Sequence, residues 1–377
     1  MKVLIISSSV ESLLNFRLDL IKAVQAKNYV VHVACPGFRG SEGSQNILTE
    51  QGVIVHPIPM SRTGVNPVFD LMTLIALYRL MIKVKPSVVL SYTIKPVVWG
   101  GLAARLANIP RVYALITGLG YAFVDGVSVG GKRKFIRGVV ELLYSISLSK
   151  CSRVFFQNPD DEALFRKLKL LAMEVPSTVV NGSGVNLSHF QLAPLPKKLT
   201  FIFIARLLVD KGIRQFAEAA SLLKLRYPDV EFKVVGYLDD NPESIEQSEL
   251  DAWVASGKLV YLGRLSDVRP VIAGASVFVL PTFYREGVPR TILEALAMGR
   301  AIVTTDTPGC RETVVHGVNG YLVKPKAVEE LVSALEKLIL DPQLVVDMGN
   351  ASYRIACDKF DVHKVNQQML LGMGMLQ

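Results

Sequence analysis

The sequence predicts an α/β protein built from two doubly wound units, each a mostly parallel sheet with helices on both faces. Three observations predict it. Short apolar runs alternate with longer helical patterns from the N-terminus onward. The alternation pauses at the proline-bearing stretch Gln191–Lys198 and restarts with a new opening strand. The mean hydropathy of +0.34 is high for a chain of this kind. Parallel sheets buried on both faces explain it, and so does association with a membrane.

In the first unit the strand candidates are Val3–Ser7, Val30–Ala34, Val53–Ile58, Val88–Ser91, Val112–Ile116, Val154–Gln157 and Thr178–Val180. Helical spacing recurs over Leu13–Ala26, Leu71–Lys83, Trp99–Leu106 and Asp160–Leu168. The second unit opens at Thr200–Ala205 and continues through Glu231–Val235, Leu259–Leu262, Val277–Pro281, Ala301–Thr304 and Gly320–Val323. Its helices fall at Ile213–Arg226, Thr291–Met298 and Val328–Leu340. The units are therefore expected at residues 1–190 and 199–354, with the segment from about 355 to 377 crossing back onto the first. Ligands of open α/β sheets bind beyond the carboxyl ends of the strands, so two such units facing each other would share one cleft lined by strand-to-helix loops.

The composition excludes several classes. At 377 residues, 50% hydrophobic and 20% charged, the chain is long enough for two full cores and is not disordered. Its four cysteines, Cys35, Cys151, Cys310 and Cys357, are far apart, which argues against a zinc site or a disulfide framework and fits a cytoplasmic location. The apolar run after Met1-Lys2 is a buried strand, too short for a signal-peptide core. The longest apolar stretch, Leu71 to Val84, is interrupted by Arg79 and Lys83, so no transmembrane helix is expected. Of the net charge of +9, a net +5 lies within residues 127–153, where Lys132, Arg133, Lys134, Arg137, Lys150 and Arg153 face Glu141 alone. With Phe135, Val139, Val140, Leu142, Leu143 and Ile146 between them, these residues read equally as a basic amphipathic helix on an anionic membrane or as an ordinary solvated face. No nucleic-acid partner is expected.

The most informative segment is Pro281-Thr-Phe-Tyr-Arg-Glu286-Gly287-Val288-Pro289-Arg290-Thr291-Ile-Leu-Glu294, closing at Gly299. It reads strand, loop, helix, with Pro289 in the first turn, Gly299 as the C-terminal stop, and free amides over Val288–Thr291 able to take an anion. Carboxylates at Glu286 and Glu294 suit paired sugar hydroxyls. Taken alone, Arg290 and Glu294 also read as a plain i,i+4 helix pair, but the Glu-x7-Glu spacing on a Gly-Val-Pro-Arg loop is harder to dismiss. A second constellation, Arg206-Leu-Leu-Val-Asp-Lys211-Gly212, follows the first strand of the second unit. Its Arg206 and Lys211 could clamp a diphosphate.

On these residues the chain resembles retaining glycosyltransferase family four, whose hallmark is the Glu-x7-Glu segment followed by an Ala-Met-Gly turn and a strand. The resemblance implies the GT-B fold: an N-terminal acceptor domain and a C-terminal nucleotide-sugar domain. It also implies no cofactor and usually no metal, in keeping with the lack of any Asp-x-Asp. It implies Arg206 and Lys211 on the leaving phosphate, Glu286 on the donor sugar and Glu294 on ribose. Gly236 and Tyr237 match the wall around base and ribose. Leu262, Gly263 and Arg264 match the loop whose backbone reads the base edge. The Asn181–Asn186 segment is similar to the family's domain-junction motif.

In the first unit Asn15 and Arg17, placed by this reading in the first strand-helix connection, Lys95, and the Thr117-Gly118-Leu-Gly120-Tyr121 loop resemble a subgroup. It transfers N-acetylgalactosamine or related sugars to lipid-diphosphate-linked glycans of bacterial surface polysaccharides. This implies a UDP-sugar donor, a polyprenyl-diphosphate-linked saccharide acceptor, and attachment to the inner face of the cell membrane through residues 127–150. The chain departs from the family in having Ser7-Ser-Ser-Val where a Gly-Gly pair is common, and no histidine between His56 and His189. Three rivals stand beside this reading. A hydrolysing nucleotide-sugar 2-epimerase would want cleft histidines. A non-catalytic module would not need the intact charges. An NAD-dependent dehydrogenase would want glycines across Ser7–Leu13, where there are none.

Overall fold

The computed structural model describes residues 1–37, 42–61, 66–118, 131–239, 241 and 243–376; side chains at 42 and 131–137 lie outside the description. The chain forms two compact units, one of residues 1–183 with 363–377 and one of residues 184–362.

The first unit runs β1 (Lys2–Ile6), α1 (Val10–Gln25), β2 (Val30–Pro36), α2 (Glu42–Glu50), β3 (Ile54–Ile58), α3 (Pro67–Val84), β4 (Val88–Tyr92), α4 (Ile94–Leu106), β5 (Val112–Ile116), α5 (Gly131–Leu148), β6 (Arg153–Phe156), α6 (Pro159–Lys167) and β7 (Ser177–Val179). Its sheet has the order β3-β2-β1-β4-β5-β6-β7, every pair parallel. The opening strand is therefore central, and the strand order reverses between β1 and β4. Residues of β4 and β5 are buried on both faces, as the hydropathy implied.

The second unit runs β8 (Thr200–Ile204), α7 (Ile213–Lys224), β9 (Glu231–Val235), α8 (Gln247–Ala255), β10 (Val260–Tyr261), α9 (Arg269–Ala273), β11 (Val277–Leu280), α10 (Arg290–Ala297), β12 (Ala301–Thr305), β13 (Gly320–Val323), α11 (Val328–Leu340) and α12 (Pro342–Ile355). Its parallel sheet, β10-β9-β8-β11-β12-β13, repeats the plan, and its order reverses between β8 and β11. The core centres on Phe201, Phe203, Phe216 and Phe232, with Phe201 and Phe232 stacked at 5.0 Å. Arg300 is wholly buried and spends its donors on the carbonyls of Ala193, Pro194, Ala275 and Met298, tying the proline stretch to this unit. Burial lowers its pKa to about 10.

After α12 and a π-helical turn at Ala356–Phe360, α13 (Val362–Gly372) packs on the first unit. There Tyr113 donates to the Met373 carbonyl at 2.8 Å and Gln368 to the Val179 carbonyl at 3.1 Å.

Two sequence-level expectations shift. Helix α1 begins at Val10, because Ser9 caps it by accepting from the Ser12 amide at 3.1 Å and Glu11 sits favourably in its first turn. Asn15 and Arg17 consequently lie inside the helix and not in a strand-helix connection. Similarly α4 starts at Ile94, five residues ahead of the apolar pattern at Trp99, so Lys95 is a helical residue.

Candidate active site

Both constellations of the second unit stand at its switch point. The Arg206–Gly212 loop follows β8 and the Pro281–Pro289 loop follows β11, the two strands between which the order reverses. In open α/β sheets that is where ligands bind.

The first loop closes in a 3-10 turn, Val209–Lys211, and leaves it through Gly212 at φ +81. A Cβ on Gly212 would lie 2.1 Å from the Pro281 carbonyl oxygen, so only glycine lets the two loops meet. They are then stitched together: Phe283 N and the Thr282 hydroxyl each donate to the Asp210 carbonyl at 2.9 Å. The same approach joins Lys211 Nζ to Glu286 Oε1 in a largely buried ion pair. Lys211 also lies 5.1 Å from the Tyr284 ring centre. Beside them the buried Asp210 Oδ1 finds no hydrogen-bond partner among the described residues. Burial raises the Asp210 pKa, Lys211 opposes the rise and Glu286 adds to it.

The loop after β12 braces Glu286 from the other side. Thr305 donates to the Thr282 carbonyl, and Gly309, at φ +83, sits so close that a Cβ would lie 1.7 Å from the Gly287 carbonyl oxygen. Beneath it the Cys310 thiol is fully buried, and burial pushes its pKa up to about 12. Helix α10 begins here with Pro289 as N-cap and no capping side chain. Arg290 and Thr291 occupy its first turn, where amides lack partners within the helix. Glu294 is buried and accepts from Arg290 Nε at 2.7 Å, so the helix pair forms. Burial raises the Glu294 pKa and Arg290 pulls it back.

Three further strand ends converge nearby. Arg206 pairs with Asp239 at 2.9 Å. The Leu207 amide donates to the Tyr237 carbonyl at 3.1 Å, and the Gly236 amide to the Gly263 carbonyl at 3.0 Å. The Arg264 guanidinium stacks 4.7 Å from the centre of the Tyr237 ring, and Leu262 packs against the core. Arg206, Lys211, Gly236, Tyr237, Leu262, Gly263, Arg264 and the Glu286–Glu294 segment thus share the carboxyl edge of one sheet.

Asn15, Arg17, Lys95, Thr117 and Gly118 belong to the first unit. There the Thr93 hydroxyl donates to Ser8 Oγ at 3.0 Å across the β1/β4 switch point. Arg17 is buried with its guanidinium 5.1 Å from the Tyr92 ring centre, whereas Asn15 is exposed. Lys95 is held by Asp70 at 2.8 Å and by the Ser61 hydroxyl at 2.7 Å. Gly120 and Tyr121 lie outside the described residues. Asp210, Asp239, Tyr284 and Gly309 were not singled out from the sequence. The Thr-Pro-Gly turn was the one signal for Gly309, and Asp210 stood in view between Arg206 and Lys211.

A model of group 1 glycosyl transferases matches residues 198–341, and a model of 4-like glycosyl transferases matches residues 2–158. The chain is a glycosyltransferase of the GT-B fold. It is 29% identical over 384 residues to the N,N'-diacetylbacillosaminyl-diphospho-undecaprenol alpha-1,3-N-acetylgalactosaminyltransferase of Campylobacter jejuni, covering 98% of this chain and 97% of that one. With the UDP-Gal:alpha-D-GlcNAc-diphosphoundecaprenol alpha-1,3-galactosyltransferase of Escherichia coli it shares 28% over 316 residues, covering 79% of this glycosyltransferase and 78% of the relative. Among solved structures it superposes on Anabaena HepE in complex with UDP with a TM-score of 0.77 at 18% identity, covering all of both chains. On the sucrose-phosphate synthase of Thermosynechococcus elongatus the TM-score is 0.78 at 15% identity, covering 98% and 97%. At such identity the superpositions establish the fold alone.

Proposed function

We propose that this glycosyltransferase moves an N-acetylhexosamine or hexose from a UDP-sugar to a polyprenyl-diphosphate-linked saccharide, with retention at the anomeric carbon, in the assembly of a bacterial surface polysaccharide. The observation that carries the donor half is the Lys211–Glu286 pair at the β8/β11 switch point, flanked by Arg206 and by the uncapped start of α10. The acceptor half rests on the named relatives, which act on undecaprenol-linked glycans.

In this reading the nucleotide diphosphate displaces local partners: Arg206 turns from Asp239, and Lys211 from Glu286, toward the phosphates. Glu286 is then released to take donor-sugar hydroxyls, and Glu294 takes ribose. The Val288–Thr291 backbone receives the diphosphate, Gly236 and Tyr237 wall the base and ribose, and Leu262, Gly263 and Arg264 read the base edge. To the acceptor this reading assigns Asn15, Arg17, Lys95 and the Thr117–Tyr121 segment of the other unit. The acceptor hydroxyl attacks from the face that UDP leaves. The bond from the anomeric carbon to the β-phosphate oxygen breaks as the new glycosidic bond forms, and the departing phosphate takes the hydroxyl proton. Preorganised cations at the leaving group supply the largest share of the barrier reduction. Retention is supported by the alpha linkages in the relatives' names, since UDP-hexoses carry their sugars α-linked. In this reading the enzyme works at the cytoplasmic face of the membrane, where a lipid-anchored acceptor would reach it.

Incubation with a panel of UDP-sugars and a short-chain prenyl-diphosphate saccharide tests this. Mass spectrometry should show the acceptor enlarged by one sugar, with an α anomeric proton by NMR. A β product, or release of free sugar alone, would sink the reading.

A further inference from the structure

Helix α3 is apolar on both sides. Its buried face carries Thr73, Leu77, Met81 and Val84 toward the sheet and α4. Its outer face exposes Val68, Leu71, Met72, Ile75, Tyr78 and Ile82, from 38% at Tyr78 to 71% at Val68. At 100° per residue these six fall within one arc of ~120°. Single exposed apolar residues are ordinary on a protein surface, but a contiguous stripe of six on one helix marks an interaction surface. The helix is not a span: among the described residues no helix is long and apolar enough to cross a membrane, and α3 carries Asp70, Arg79 and Lys83.

The charges name the occupant. Arg79 lies within the exposed arc, Lys83 flanks it and Lys85 caps the helix end, all exposed, whereas the one carboxylate of α3, Asp70, is on the buried face and spent on Lys95. An apolar stripe whose exposed charges on α3 are all cations complements an anionic bilayer surface. It suits a second copy of the chain poorly, since a two-fold contact that buried the stripe would bury Arg79 and Lys83 with it, and the one carboxylate of α3 is spent on Lys95. The same layer of helices carries more exposed apolar side chains. Helix α4 packs between α3 and α5, and this layer further exposes Leu106 at the end of α4 and Val139, Leu142 and Ile146 on α5.

We propose that α3 is the membrane seat of this enzyme, lying in the plane of an anionic bilayer with Val68, Leu71, Met72, Ile75 and Ile82 among the acyl chains and Arg79, Lys83 and Lys85 on the headgroups. This rests on the peripheral placement proposed above and moves its apolar anchor from residues 127–150 to α3.

The test is flotation of the full chain with vesicles of phosphatidylglycerol and phosphatidylethanolamine, comparing wild type with the variant Leu71→Gln, Ile75→Gln, Ile82→Gln. All three side chains are exposed, so the thermal midpoint should not move. Vesicle affinity should fall by roughly 10²-fold, about the burial of three aliphatic side chains partly inserted in the interface. Transfer to a water-soluble short-chain acceptor should stay at the wild-type rate, while transfer to a long-chain acceptor in vesicles drops. The proposal is overturned if the variant floats like wild type. It is equally overturned if wild type fails to float, or if the substitutions convert a dimer to a monomer with vesicle binding unchanged. Absence of transfer to either acceptor would strike the acceptor reading and leave the flotation result to judge α3 by itself.

Discussion

The two units share one topology and fill its switch point with different chemistry. In the second unit, charges converge there: Lys211 on Glu286, Arg206 on Asp239, Arg290 on Glu294. In the first unit, hydroxyls meet instead, Thr93 on Ser8, while Arg17 is laid against Tyr92 and Lys95 is tied to Asp70. The same fold edge thus carries three ion pairs on one unit, against a hydroxyl contact, a stacked Arg17 and the single Lys95–Asp70 pair on the other. A diphosphate leaving group calls for the first and an uncharged sugar hydroxyl for the second.

The comparison breaks most visibly at Lys211. Lys211→Ala should lower turnover by roughly 10²–10³-fold, the scale of one lost charge-stabilising donor. A folded variant with wild-type kinetics would remove Lys211 from the reacting centre. Next come the two glutamates, which should separate. Glu286→Ala is expected to lower kcat by roughly 10²-fold with UDP affinity kept. Glu294→Ala should weaken UDP binding by roughly tenfold, about one lost hydrogen bond to an ionised group. Equal loss of UDP affinity in both would contradict the division.

The first unit answers differently. Lys95→Ala strands the Asp70 carboxylate, and breaking a buried pair in this way costs about 3 kcal/mol. The thermal midpoint should fall and the acceptor KM rise, while calorimetry with UDP should read the wild-type affinity. A changed UDP affinity would mean that the units do not divide the substrates as proposed.

The smallest effect is the sign of two pH dependences. Burial raises the Glu294 pKa, so the folded state holds more protons than the unfolded one. This contribution is full below the unfolded value near 4.5 and is lost as pH rises through the folded one. His32 and His56 are hydrogen-bonded at 2.9 Å on β2 and β3, and burial lowers both values. Their contribution is present above the unfolded value near 6.5 and is lost as pH falls through the folded values. Differential scanning calorimetry should show Glu294→Gln gaining relative to wild type as pH rises, and His32→Asn gaining relative to wild type as it falls.

Much of this was legible in the chain. The strands of both sheets read out within a residue or two, because apolar runs bounded by turns survive whatever packs on them. The Arg206–Lys211 and Glu286–Glu294 segments read out because their spacing is local. Other features were hidden because they depend on closeness between distant residues. The brace of Gly309 on Gly287 spans two loops. The capture of Lys95 by Asp70 spans two helices. Helix α1 was read three residues short because Ser9 declares the start by its cap and not by apolar spacing. The apolar run from Leu71 to Val84 was weighed as a span. Sequence alone could not reveal that the sheet takes one side and leaves the other bare.

The central claim is that protein cations at the β8/β11 switch point hold the nucleotide diphosphate, without a metal. Calorimetric titration of UDP in the presence of EDTA, with wild type and with the Arg206→Ala, Lys211→Ala double variant, tests it most directly. Wild type should bind UDP in EDTA, and the double variant should bind at least tenfold more weakly, the least that the loss of two charge-assisted contacts implies. UDP binding that vanishes on chelation and returns with a divalent cation, or that is indifferent to both substitutions, would contradict the account.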